Sequence, residues 1–114
     1  MANTFKLVTK AGVTSSDVIY PPDSVTTVIL GLILGNTTTS QVTATVSLAS
    51  TTSSRAGDNN ENNQTVELIT NTPIPAGSSL ELLAGNKVVM ENNDALSVSA
   101  TGSTDVALSI MEIS

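Results

Sequence analysis

The chain contains no cysteine, no histidine and no tryptophan. These absences remove disulfide bonds, thiolate nucleophiles, the Cys and His ligands of structural zinc, and imidazole acid–base chemistry. They leave the redox compartment open, because a cysteine-free chain is tolerated in any compartment. Aromatic residues are almost as scarce. Phe5 and Tyr20 make up the entire aromatic content, 2% of 114 residues. Any core must therefore be aliphatic, and the aromatic platforms on which sugar-binding proteins stack their ligands are missing.

Charge is also sparse. Only 12% of residues are charged, about half the usual share of roughly 25%. Ten acidic residues face four basic ones, for a formal net charge of −6. The bases, Lys6, Lys10, Arg55 and Lys87, are scattered along the sequence. Nucleic-acid binding relies on clustered cations that displace phosphate counterions, so this chain is expected to repel nucleic acid. An anionic membrane surface is disfavoured for the same reason.

Long apolar runs are missing too. The longest is Val28-Ile29-Leu30-Gly31-Leu32-Ile33-Leu34, far short of the roughly 20 residues of a membrane-spanning helix. Its length and its flanking threonines predict a strand buried on both faces. The opening Met1-Ala2-Asn3-Thr4-Phe5-Lys6 shows no basic region followed by an apolar one, so no signal peptide is expected.

What the chain does have is Thr, Ser, Asn and Val, in a length suited to a single domain, with 39% hydrophobic residues. Thr and Val suit half-buried strands, whereas Asn, Ser and Gly suit turns. No window repeats apolar residues at helical spacing. Strands are predicted around Phe5 and Leu7, at 18–20, at 25–34, and at 42–48. In the last of these, Val42, Ala44, Val46 and Leu48 alternate with Thr43, Thr45 and Ser47. Further strands are predicted at 66–69, 80–82, 88–90, 96–100 and 106–111. Ala11-Gly12, Gly35-Asn36, Gly85-Asn86 and Asn92-Asn93-Asp94 read as turns, and Pro73 and Pro75 as a bend. The strands at 28–34 and 42–48 are expected to form a hairpin with each other, and so are those at 80–82 and 88–90. The fold class is all-β: one domain over residues 1–114, an antiparallel sandwich of about eight strands, immunoglobulin-like or jelly-roll-like.

Residues 50–64 break the pattern. They contain no apolar residue larger than Ala and predict a long solvated loop of the kind that often carries function.

The search for chemistry is unrewarding. Ten carboxylates are available for acid–base work, but ordinary exposure explains them better than a catalytic pair does. Asp58-Asn59-Asn60-Glu61 and Glu91-Asn92-Asn93-Asp94 offer oxygen ligands to calcium. Neither matches an EF-hand, and turn chemistry explains the second. Asn36-Thr37-Thr38 and Asn63-Gln64-Thr65 fit the glycosylation pattern but are expected by chance in a chain so rich in Asn and Thr. A serine nucleophile needs a base; without His, a Ser-x-x-Lys arrangement would be required, and none occurs. The reading is of a non-enzymatic protein with no cofactor and no metal.

Several segments taken together carry a resemblance. They are Phe5-Lys6, Val18-Ile19-Tyr20-Pro21, the apolar strand at 25–34 with the Asn36 turn, and the Thr-rich alternation after it. Ile74-Pro75-Ala76-Gly77-Ser78-Ser79-Leu80, Lys87-Val88-Val89-Met90-Glu91 and Asp94-Ala95-Leu96-Ser97-Val98 follow. Asp105-Val106 and Ser109-Ile110-Met111-Glu112-Ile113 complete the set. In this order they resemble the small β-sandwich virion proteins of tailed bacteriophages, including phages of cyanobacteria and other marine bacteria. The resemblance covers nearly all of the chain except residues 51–64. It implies a capsid decoration, or cement, protein, often trimeric, carried on the virion surface and assembled in the host cytoplasm. Its partners would be the major capsid protein or other virion proteins. A neck, tail or baseplate component is the alternative within that class, and a carbohydrate-binding module is the alternative outside it. The candidate contact residues are Phe5 and Lys6 in the first strand, which is expected to reach a neighbour as an added strand. Arg55, Asp58, Asn60, Glu61 and Asn63 in the polar loop complete the list.

Overall fold

The computed structural model describes residues 3–22, 24–50, 64–82 and 87–113. Among them the chain forms nine strands: β1 (Asn3–Val13), β2 (Ser16–Tyr20), β3 (Thr26–Asn36), β4 (Val42–Ser50), β5 (Gln64–Ile74), β6 (Ser79–Leu82), β7 (Val88–Met90), β8 (Ala95–Ala100) and β9 (Thr104–Ile113). They make two antiparallel sheets. The five-stranded sheet runs β1-β9-β3-β6, with β7 also pairing to β3, and the four-stranded sheet runs β2-β8-β4-β5. This is the all-β sandwich that the composition and the period of two predict.

The core lies between the sheets. β3 and β9 supply Ile29, Leu32, Leu34, Val106, Leu108 and Ile110; Val42, Ala44, Val46, Leu96 and Val98 face them from β4 and β8. These residues sit at every second position of their strands, as one-sided burial requires, except on β3, where a register shift between Ile29 and Gly31 puts Ile29 and Leu32 three positions apart. Full burial of such aliphatic side chains stabilises by about 1.5–3 kcal/mol each, so the sandwich holds without aromatic bulk.

Three expectations are overturned, two about pairing and one about burial. β3 and β4 do not form a hairpin; they lie in opposite sheets. β9 occupies one edge of β3, and β6 and β7 occupy the other. The chain must therefore cross over after Asn36. The buried Asn36 side chain organises that crossing. Its Nδ2 donates to the Ser40 and Ile74 carbonyls at 2.8 Å each, and its Oδ1 accepts from the Thr38 N–H at 2.9 Å and the Thr38 hydroxyl at 2.8 Å. Nor do β6 and β7 pair with each other. Leu80 and Leu82 lie opposite Leu34 and Leu32, and Val88 and Met90 lie opposite Ile29 and Thr27. The two are successive pieces of one interrupted edge strand. Folding back as a hairpin would pull Leu80, Leu82, Val88 and Met90 away from the core they cover. Third, β3 is buried on one face only. Ile33 is 46% exposed, and Val28 and Leu30 are half-buried.

Local signals also resolve differently from expectation. Ala11-Gly12 is a bulge inside β1, where the register shifts between Lys10 and Val13 and Gly12 takes φ +70°. Gly35 and Asn36 are the paired last residues of β3, not a turn. Pro73 lies within β5 opposite Thr43. As an edge strand, β5 tolerates a residue that cannot donate to the ladder. The bend falls at Pro75, where Ser78 N–H donates to the Pro75 carbonyl and Gly77 has φ +71°. The Asn92-Asn93-Asp94 turn forms as predicted. Asp94 N–H donates to the Glu91 carbonyl, the Asp94 carboxylate accepts from Glu91 N–H at 2.9 Å, and Asn93 has φ +76°. The predicted Gly85-Asn86 turn lies outside the described residues.

Candidate functional site

Each sheet presents a broad outer face, and the two differ in chemistry. On the four-stranded sheet the period of two turns hydroxyls outward. Ser16, Ser99 and Thr45 stand in one cross-strand row; Val18, Ser97, Ser47 and Glu67 stand in the next. Such a face is polar, and Glu67 is the charged residue in these two rows. On the five-stranded sheet the outward positions are largely aliphatic. Phe5, Met111, Val28 and Val89 form a row that crosses the sheet from β1 to β7. Leu7, Ser109 and Gly31 form the next row, and Thr9, Ala107, Ile33 and Glu81 the one after. Phe5 is 72% exposed, Leu7 66%, Val89 54% and Ile33 46%. A contiguous apolar patch of this kind on a small protein marks a contact site.

The patch is not flat. Two open depressions, of about 350 Å³ and about 210 Å³, share Ile33 and Ala107 as a common ridge. Gly35 lies in the larger and Gly31 in the smaller. A Cβ on Gly31 would meet nothing within 4 Å.

Of the residues singled out from the sequence, Phe5 lies in the apolar row. Lys6 points to the other side of β1, sharing a face with the buried Ile110. Its ammonium pairs with Glu112 Oε1 at 2.7 Å. Arg55, Asp58, Asn60, Glu61 and Asn63 lie outside the described residues. Leu7, Val28, Ile33 and Val89 were missed because each reads as core by residue type, whereas Met111 is expected opposite the Val106, Leu108 and Ile110 face and lies there. The available signal was the alternation Phe5-Lys6-Leu7-Val8, in which one apolar residue falls on the lysine side. Val8 packs on the core and Leu7 does not.

Lys6 belongs to a polar cluster at one end of the sandwich. Tyr20 from β2 donates its phenol proton to Glu112 Oε2 at 2.6 Å. That proton being used, the fully buried Thr27 hydroxyl, 2.7 Å away, donates to the Tyr20 oxygen. The Lys6 ammonium, then the Tyr20 hydroxyl, hold the Glu112 carboxyl below its usual range. Burial, then the hydrogen bond to Glu112, push Tyr20 up to about 12. These are pairings that stabilise fixed protonation states and join the two sheets, since β2 belongs to one and β1, β3 and β9 to the other. Among the described residues no group of three or more His, Cys, Asp or Glu is placed to hold a metal ion. No helix there is long and apolar enough to cross a membrane.

No family model matches the chain, and no curated protein matches it. Among solved structures it is similar to a chain described under "Bacillus endospore appendages form a novel family of disulfide-linked pili", with 12% identity and a TM-score of 0.43. That similarity covers 96% of this chain and 85% of the other.

Proposed function

We propose that this chain is a non-enzymatic structural protein of a bacteriophage particle, a decoration protein that binds the major capsid lattice as a homo-oligomer and stabilises it. The observation that carries the reading is the pair of broad outer faces, one aliphatic and one hydroxyl-lined, on a two-sheet scaffold. A lattice-bridging protein needs a rigid body with more than one contact surface, and the two chemistries allow two different contacts. The phage assignment itself is supported by the sequence resemblance. Binding only the assembled lattice would stabilise it by mass action, with no chemical step required.

The test is the number of copies per purified particle, measured by quantitative gel analysis or mass spectrometry. Decoration predicts many copies in a ratio set by capsid symmetry, and particles that lose heat or chelator resistance when the protein is missing. A handful of copies per particle would replace this reading with a neck, tail or baseplate role. Absence from the particle would end the virion reading.

A further inference from the structure

We propose that the outer face of the five-stranded sheet is covered by the same face of a second copy of this chain, with the copies related by an axis running across the strands. The inference deepens the homo-oligomer part of the reading above, but it concerns the isolated protein and stands or falls without a capsid.

Area is the first argument. Four strand positions about 4.8 Å apart give a width of about 19 Å, and an eleven-residue strand is about 36 Å long. The face is therefore roughly 700 Å², close to the about 800 Å² that each partner contributes to a standard stable interface. The lengths are those of β1 and β3.

Charge is the second. Each copy carries a formal charge of −6, so copies repel at long range and associate only where the contact itself is neutral. This face meets that condition at its centre. Among the described residues its charged groups lie at the margins: Glu81 on the β6 edge, Asp105 at the start of β9, and Lys10, which borders the larger depression from the β1 edge. Asp105 is already engaged, accepting from Gly12 N–H at 3.0 Å. A basic partner would find no central anion to grip.

Shape is the third. The Ile33 ridge and the Gly31 hollow follow one another along β3, so an axis running across the strands between them seats the ridge of each copy in the hollow of the other.

The free edge of β1 makes the face, not the edge, the contact. Lys6 and Lys10 share their side of β1 with the buried partners Ile110 and Val106. Inward-pointing lysines on an edge strand resist the addition of another strand, which would bury them.

Sedimentation and light scattering on the purified chain at about 100 µM, a concentration that populates even weak micromolar contacts, test the inference. A mass of two chains supports it; a single chain, or an assembly of three, overturns it. Leu7→Glu and Gly31→Val both alter only the outer face, and each is expected to weaken association at least about tenfold, with the circular dichroism spectrum and melting of the single chain retained. Gly31→Val is the safeguard, because it adds a strand-favouring residue in open space. Association unchanged in both variants overturns the face.

Discussion

The Tyr20 hydroxyl lies 2.6 Å from Glu112 and donates to a carboxylate whose other oxygen is 2.7 Å from the Lys6 ammonium. Three strands from both sheets thus meet at one carboxyl group. Removing the phenol oxygen takes a donor from Glu112 and an acceptor from the buried Thr27. Tyr20→Phe is expected to lose about 1–3 kcal/mol, read as a lower urea midpoint at pH 7 with an unchanged slope.

The same contact fixes the alkaline limit. Tyr20 is raised from 10.0 to about 12 in the folded chain. Its contribution is complete below pH 10 and is lost as pH rises from 10 through about 12. The urea midpoint of the parent chain should fall across that window more steeply than that of Tyr20→Phe. Parallel curves for the two proteins would show that Tyr20 ionises without penalty.

At the acid end the sign reverses. Glu112 is lowered from 4.5 by Lys6 first and by Tyr20 second. Its contribution is present above pH 4.5 and is lost as pH falls through the lower folded value. Glu112→Gln should flatten this part of the acid-unfolding curve. Because the pair with Lys6 is half-exposed on the lysine side, added salt should remove part of the difference.

Asn36 makes a sharper demand. Its amide donates to two carbonyls, one on the crossover and one at the end of β5. Asn36→Asp turns an acceptor toward both carbonyls and places a charge in a site only 4% exposed. The expected loss is about 3–5 kcal/mol, with Asn36→Ala milder, at about 1–3 kcal/mol. Thermal melting of both variants checks the order, and an Asp variant as stable as the parent would contradict the bonding described.

Two glycines predict opposite outcomes. A Cβ on Gly102 would lie 2.7 Å from Val42 Cγ1, in the core. Gly102→Ala is therefore expected to cost about 1–3 kcal/mol through overpacking. Gly31→Ala, with open space around the new atom, should leave chain stability unchanged or slightly raised. Denaturant titration of the two, under conditions where the chain is monomeric, separates them.

The period of two made most strands legible, and β4, β8 and β9 show why. Val42-Thr43-Ala44-Thr45-Val46 and Leu96-Ser97-Val98 alternate in residue type as they do in burial, and Val106-Ala107-Leu108 alternates in side-chain size. Pairing was not legible, because alternation states which residues face inward and not which sheet they face from. The 28–34 run and β4 look like hairpin partners until both edges of β3 are seen to be occupied by other strands. The aliphatic outer face was hidden for a related reason. Leu7, Ile33 and Val89 are indistinguishable by type from core residues, and the register of Leu7 with Ser109, of Ile33 with Glu81 and Ala107, and of Val89 with Val28 puts them outside. The Asn36 hub had one trace in the sequence, an Asn bordering a strand, and that trace reads equally well as a turn.

The placement of β9 between β1 and β3 has a consequence for how the chain is made. β9 pairs with both neighbours along nearly its whole length, from Thr104 to Ile113. The first and third strands to leave the ribosome thus have no bond to each other and must wait for the ninth. During that interval Phe5, Leu7 and the apolar run of β3 stay open to other nascent chains, and closure depends on contacts spanning most of the sequence. Biogenesis is therefore gated by a single late event, and changes that weaken β9 should appear first as low yield and aggregation, before any loss of contact specificity.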